Sequence, residues 1–188
     1  MRCYHPRFPS NDAAPSRGAS PVPMPSPRLR KAFSERELRD ALGEFATGVT
    51  VIATRSPAGE LAGFTANSFN SVSLDPALVV WSLNRHASPL AAFESCASYG
   101  ISVLTRAQRA LALRFAEALP DRFAGVPHRI GAHGAPLIDG CSAWFECRHH
   151  SMTPAGDHVL FVGEVLALGH GDGRPPMLTF HRGRFGST

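Results

Sequence analysis

The residues of this chain best placed to do chemistry are small and uncharged. Gly63-Phe64-Thr65-Ala66-Asn67-Ser68-Phe69-Asn70-Ser71-Val72-Ser73-Leu74-Asp75-Pro76 concentrates hydroxyls, amides and main-chain N–H groups where the chain must turn between two apolar runs. Donors of that kind suit an anionic, planar, heteroatom-rich ligand. The same residue types also satisfy their own backbone in Asx and Ser/Thr turns, so the segment alone supports either a turn or a ligand loop. It holds neither paired carboxylates nor the Ser, His and Asp of a nucleophilic triad.

Other blocks keep company with it. Upstream stands Gly43-Glu44-Phe45-Ala46-Thr47-Gly48-Val49-Thr50-Val51-Ile52; downstream stand Gly156-Asp157-His158 and Phe161-Val162-Gly163-Glu164-Val165. In that order and at those separations the blocks resemble the short-chain NAD(P)H:flavin oxidoreductases, the reductase components of two-component flavin monooxygenases. The resemblance runs roughly from Phe33 to Phe185.

The resemblance implies an antiparallel split β-barrel of the flavin-binding type, usually a homodimer. It implies hydride transfer from NADH or NADPH to FMN or FAD, with reduced flavin supplied to a separate monooxygenase. Such chemistry asks of a protein hydrogen-bond donors along one edge of the ring, an open ring face and a hold on the phosphate. By the resemblance Thr65, Ala66, Asn67, Ser68 and Phe69, with Ser71 and Val72, are the flavin ring and ribityl contacts. His86, Ala87 and Ser88 are the phosphate side, where Arg85 or His86 could bring positive charge. His158 stands beside the flavin where nicotinamide stacks, and Gly43, Glu44 and Phe45 meet the nicotinamide nucleotide. His158 is equally readable as a strand-edge residue bonded to Asp157, and Gly43 to Phe45 as a helix end. The chain departs from the family at Pro89, where relatives carry a polar residue, at Ala77, where a second proline is usual, and at a C-terminus that follows closely on Gly183-Arg184-Phe185. Two other readings stay open: a non-catalytic flavin- or haem-binding split barrel that stores or senses its ligand, and a split-barrel oxidase with its own substrate.

Composition narrows the classes. At 188 residues the chain is long enough for one domain with a proper core. The formal charge of +4 sits in the first 31 residues, where six basic residues face one acid; the remainder is close to neutral. A nucleic-acid binder should carry a basic face on the folded domain, and none is visible. The four cysteines show no CxxC pair and the histidines no ligand spacing, so neither a metal nor a disulfide is expected, and the thiols read as reduced cores in a cytoplasmic protein. No apolar run approaches the roughly 18 residues of a membrane span.

The elements that must position these residues are mainly strands with interleaved helices. Residues 1–31 are rich in Pro, Ser and Arg and read as a disordered tail; a transit-like segment or an internal start at Met24 fits as well. Residues 32–188 form the expected domain. Ser34 and Glu37 form a capping box, so a helix should start there, stack Leu38, Leu42 and Phe45 on one face, and end at Gly48. Strands are expected over 49–54, 61–65, 78–83, 99–104, 143–150, 159–168 and 177–180, a short helix after Pro89 and a helix over 106–118. The Gly/Pro-rich stretch 121–140 is long enough for a functional loop. About seven strands separated by turns favour an antiparallel barrel, and the absence of GxGxxG after a strand removes the Rossmann route to NAD.

Overall fold

The computed structural model describes residues 32–188, so the tail expected over 1–31 lies outside the described residues. Helix α1, Glu35–Leu42, opens as its sequence demands. The Glu37 N–H donates to Ser34 Oγ at 3.2 Å, and the Ser34 N–H donates back to Glu37 Oε2 at 2.9 Å. The helix stops at Gly43, five residues before the expected Gly48. The competing pull is strand pairing: β1, Thr47–Gly48, aligns with Phe180 and Thr179, and the Arg182 N–H donates to the Gly43 carbonyl at 3.0 Å. The β-branched residues from Thr47 to Val51 favour that outcome over another helical turn. No residue of α1 is buried.

The chain then runs β2 (Thr50–Arg55), β3 (Leu61–Ala66), β4 (Asn70–Leu74) and β5 (Ala77–Asn84), followed by α2 (Leu90–Ser95) and β6 (Ser98–Val103). A 3-10 turn at Arg106–Gln108 leads into α3 (Arg109–Ala116). The single helix expected over 106–118 is thus split and shorter. After it come β7 (His128–Ile130), β8 (Pro136–Ile138), the long hairpin β9 (Ala143–Ala155) and β10 (His158–His170), and finally β11 (Leu178–His181) and β12 (Arg184–Ser187). Among the described residues twelve strands replace the expected seven, the additions being mostly short.

Seven strands form one antiparallel sheet in the order β3-β2-β6-β9-β10-β5-β4. Its two edges, β3 and β4, are consecutive in sequence and joined by residues 67–69 alone. A linker that short spans at most about 14 Å, so the sheet must curl until its edges almost meet. The result is a split barrel whose seam is the segment Asn67-Ser68-Phe69. Ser68 stitches it: Ser68 Oγ donates to the Ser82 carbonyl at 3.2 Å and accepts from the Ser82 N–H at 3.0 Å, on β5.

The barrel interior is aromatic. Trp81 stacks on Phe161 at 4.1 Å between centroids, with Phe93 and Tyr99 edge-on to Trp81. A second cluster, including Val51, Ala53, Ala112, Phe115 and Phe123, lies on the opposite face of β2 and packs α3 against the barrel. Burial on both faces explains the unbroken apolar run of β2. The stretch 121–140 is less loop than expected. It holds the β7/β8 hairpin, pinned by buried Glu146, whose Oε1 accepts from the N–H groups of His133 at 3.0 Å and Ala135 at 3.3 Å.

Candidate functional site

The seam carries the chemistry. The main-chain N–H groups of Asn67, Ser68 and Phe69 make no hydrogen bond to any described residue, and neither does the Asn67 side-chain amide. These are the donors a heteroatom-rich ring edge requires. A cleft of about 250 Å³ opens on Asn67 and Ser68, bounded by Phe64 to Ser68 on one side and by Ser82, Asn84 and His158 on the other.

His158 reaches this cleft because β10 begins there. Gly156 takes φ +63° in the two-residue β9/β10 turn, and the turn is fastened by the Arg85 N–H donating to the Asp157 carbonyl at 3.0 Å. His158 Nδ1 pairs with Asp157 Oδ1 at 2.8 Å. That hydrogen bond, with the charges of His158 and Arg39, holds the Asp157 carboxyl below its usual range. The pairing fixes the ring orientation and leaves Nε2 for the cleft.

Not every expected residue meets the cleft through its side chain. The Thr65 hydroxyl donates to the Ala112 carbonyl at 2.7 Å, and Ser68 is committed to Ser82, so both act as braces with only backbone to offer a ligand. The Phe69 ring turns inward onto Phe145, centroids 5.5 Å apart, and Ala66 is buried. Ser71 and Val72 lie on edge strand β4, outside the cleft; Val72 is the extra residue of a bulge between Ser71 and Ser73 and is 54% exposed.

The 86–88 loop is differently wired from its sequence reading. Asn84 consumes two of its donors, the His86 N–H at 2.9 Å through Oδ1 and the Ala87 N–H at 3.0 Å through its carbonyl. The nearest fixed positive charge is Arg122, not Arg85 or His86. Arg122 Nε donates to the Glu117 carbonyl at 2.7 Å, Nη1 to the Gly63 carbonyl at 3.2 Å and Nη2 to Ser88 Oγ at 3.5 Å. Two of its five N–H groups remain for an anion in a cleft of about 300 Å³ lined by Gly63, Ser88, Pro89 and Arg122. Sequence gave no warning of Arg122, which lies 34 positions from Ser88 and in no motif.

Gly43, Glu44 and Phe45 line a third and larger cleft, about 610 Å³, closed on its far side by Phe180 to Gly183. Asn67 lines both this cleft and the seam cleft. Phe45 is 71% exposed there, an aromatic face open to a planar group. Among the described residues no group of three or more His, Cys, Asp or Glu side chains could hold a metal. Cys96, Cys141 and Cys147 are free and buried, and burial pushes the Cys147 thiol up to about 12. None of the three thiols takes part in the clefts.

Free donors along a seam, a charged anchor at one end and an open face beside a histidine fit a flavin mononucleotide moiety well. The flavin reductase-like domain family matches residues 42–188. The chain is 44% identical over 138 residues to a probable flavin reductase of Rhizobium meliloti, covering 73% of this chain but only 44% of that protein, so it spans less than half of that relative's length. It is 44% identical over 153 residues to the FMN reductase (NADH) SmoA of Agrobacterium fabrum, covering 81% of this chain and 86% of the relative. The solved structure of the NADH:FAD oxidoreductase SgcE6 of Streptomyces globisporus matches with a TM-score of 0.79 at 36% identity, over 87% of this chain and 99% of that one. The fold, the seam and these likenesses agree: the chain belongs to the flavin reductase-like domain family.

Proposed function

We propose that residues 32–188 are an NAD(P)H:flavin oxidoreductase domain that reduces FMN or FAD and supplies the reduced flavin to a separate flavin-dependent monooxygenase. One observation carries the reading: Asn67 and Ser68, with their unpaired main-chain donors, line a cleft beside His158, and Asn67 also lines a second cleft of about 610 Å³.

A flavin held there would supply the hydride-accepting ring, on which negative charge would develop. The residues of the chain hold and orient. Asn67 and the N–H groups of 67–69 donate to the ring edge, where charge grows as the reaction proceeds. Arg122 and Ser88 hold the terminal phosphate. His158, its ring fixed by Asp157, and Phe45 confine the nicotinamide to one face. Among the described residues there is no dinucleotide-binding βαβ unit, so the nicotinamide nucleotide depends on the flavin for much of its contact.

A homodimer fits the same reading. Val72 and Leu74 on β4, Met152 and Leu160 on the β9/β10 hairpin, and Leu38 and Leu42 on α1 leave apolar surface uncovered in the single chain, the kind of surface a second copy would bury. Among the described residues no helix is long and apolar enough to cross a membrane, and buried free thiols suit the cytoplasm we assign.

The test is to add NADH or NADPH with FMN or FAD to the purified protein and follow the loss of reduced nicotinamide by absorbance. Turnover that requires both substrates is expected. Flavin binding with no turnover would replace this reading with a storage or sensing role.

A further inference from the structure

The outer cleft is charged but balanced. Its walls carry Arg39, Arg182, Asp40 and Glu44, two of each sign. Each charge already has a partner: Arg39 Nη2 lies 3.4 Å from Glu35, Asp40 lies 3.9 Å from Arg36, and Arg182 is locked to Glu44.

The last pair is built rather than incidental. Arg182 Nη2 donates to Glu44 Oε2 at 2.6 Å, and Arg182 Nε donates to both carboxylate oxygens at 3.0 Å. The arginine holds the Glu44 carboxyl below its usual range. Arg182 also sits at φ +49° followed by Gly183 at φ +73°, the two-residue β11/β12 turn. Such a turn prefers Asn, Asp or Gly at its first position, so an arginine there is retained against local preference. Its main-chain N–H bonds the Gly43 carbonyl, which fixes the backbone beside Glu44.

We propose that Glu44, by occupying Arg182, makes the outer cleft select NADH over NADPH. This rests on the reading of that cleft as the nicotinamide nucleotide site. The two nucleotides differ only by the 2′-phosphate, a group carrying nearly two negative charges at neutral pH. A site for it needs positive charge that no carboxylate already offsets. Here the arginine best placed is turned side-on to a carboxylate, and that carboxylate repels the incoming phosphate.

The experiment measures kcat/KM for NADH and NADPH with saturating FMN in the wild type, Glu44→Gln, Arg182→Gln and the double variant, alongside flavin titrations. Wild-type protein should prefer NADH. Glu44→Gln should shift the ratio toward NADPH by about threefold to tenfold, and adding Arg182→Gln should cancel that gain. Arg182→Gln alone leaves Glu44 unopposed and should widen the NADH preference, which keeps the idea testable should Glu44→Gln not fold. A wild-type preference for NADPH overturns the proposal, as does an unchanged ratio in a variant that still binds flavin. A common change in both KM values at constant ratio removes the discrimination but keeps the nucleotide site. No change in either KM in any variant removes the nucleotide site itself.

Discussion

Arg122 offers the sharpest test of how the flavin is anchored. Replacing it by alanine removes two good hydrogen bonds to main-chain carbonyls, at 2.7 Å to Glu117 and 3.2 Å to Gly63, and a marginal one of 3.5 Å to Ser88. At partial exposure each of the two good bonds is worth about 1–1.5 kcal/mol, so Arg122→Ala should lose about 2–3 kcal/mol of stability. For a chain of this size that is roughly 4–12 °C in Tm. Stability is therefore a poor readout of ligand contact, and the comparison of two flavins is a better one. FMN carries the terminal phosphate and riboflavin does not. Loss of one arginine–phosphate contact in a half-open cleft should weaken FMN binding by about 1–2 kcal/mol, or roughly 5- to 30-fold, while riboflavin changes less than about twofold. Arg122→Lys keeps the charge without the fork and should fall between. The assay is quenching of flavin fluorescence on titration, carried out well below the melting temperature of the variant. Equal losses for FMN and riboflavin would make Arg122 a brace for the 86–88 loop, and no loss for either would put the phosphate elsewhere.

Three further variants separate contact from scaffolding. His158→Ala should lower kcat/KM for the nicotinamide nucleotide by roughly 10- to 100-fold with flavin affinity nearly constant, read by single-turnover flavin reduction beside a flavin titration; a loss confined to flavin affinity would recast His158 as a flavin ligand. Asn67→Ala should cost about 1–3 kcal/mol of flavin binding and little stability, whereas Ser68→Ala should lower the urea midpoint first, because its hydroxyl serves Ser82; the reverse order would contradict the assignment. Gly163→Ala puts a methyl group onto the buried Tyr99 hydroxyl, 2.8 Å from its ring carbon Cζ and 3.2 Å from Cys147 Cβ, and should destabilise by about 1–3 kcal/mol. Tyr99→Phe, which removes the hydroxyl but keeps the ring carbon, should recover part of that loss in a double-mutant cycle, and additive effects would exclude the hydroxyl clash as a cause.

The contrast between Ser68 and Gly163 shows how far sequence can be read. The capping box at Ser34 and Glu37 was legible because every partner lies within three positions, and the structure reproduces it bond for bond. The runs of β2 and β6 were legible because two-sided burial leaves a nearly unbroken hydrophobic record, and those of β5 and the start of β10 because buried residues recur at every second position. Strands β1, β4 and β12 left no such record. They are short, exposed or at an edge: β1 exists because distant Phe180 pairs with Thr47, and β4 and β12 are short partners of their sequence neighbours β5 and β11. The end of α1 failed for the same reason: Gly48 looks like a helix stop, but pairing with β11 and the Arg182 bond to Gly43 act first. Gly163 belongs to a motif block that marks the family, yet its task is to leave room for Tyr99, a contact no local pattern encodes.

The candidate site divides along the same physical line. The seam was legible as chemistry because polar residues crowded between two apolar strands must either bond themselves or bond a ligand, and sequence leaves those two outcomes open. The structure separates them residue by residue. Thr65 and Ser68 spend their hydroxyls on Ala112 and Ser82, and Asn84 takes up the loop at 86–88; Asn67 and the N–H groups of 67–69 stay unspent. A donor left unpaired at a surface is satisfied by water and costs nothing, so its persistence beside an open cleft is informative only because its neighbours were all committed. Charge was the part least visible in sequence. Arg122 and Arg182 each act on a residue far along the chain, Ser88 and Glu44, and each does so through backbone that its own strand or loop fixes. Motif reading works through contiguous backbone; it does not find Arg122 and Arg182, because their partners Ser88 and Glu44 are brought to them only by the tertiary fold.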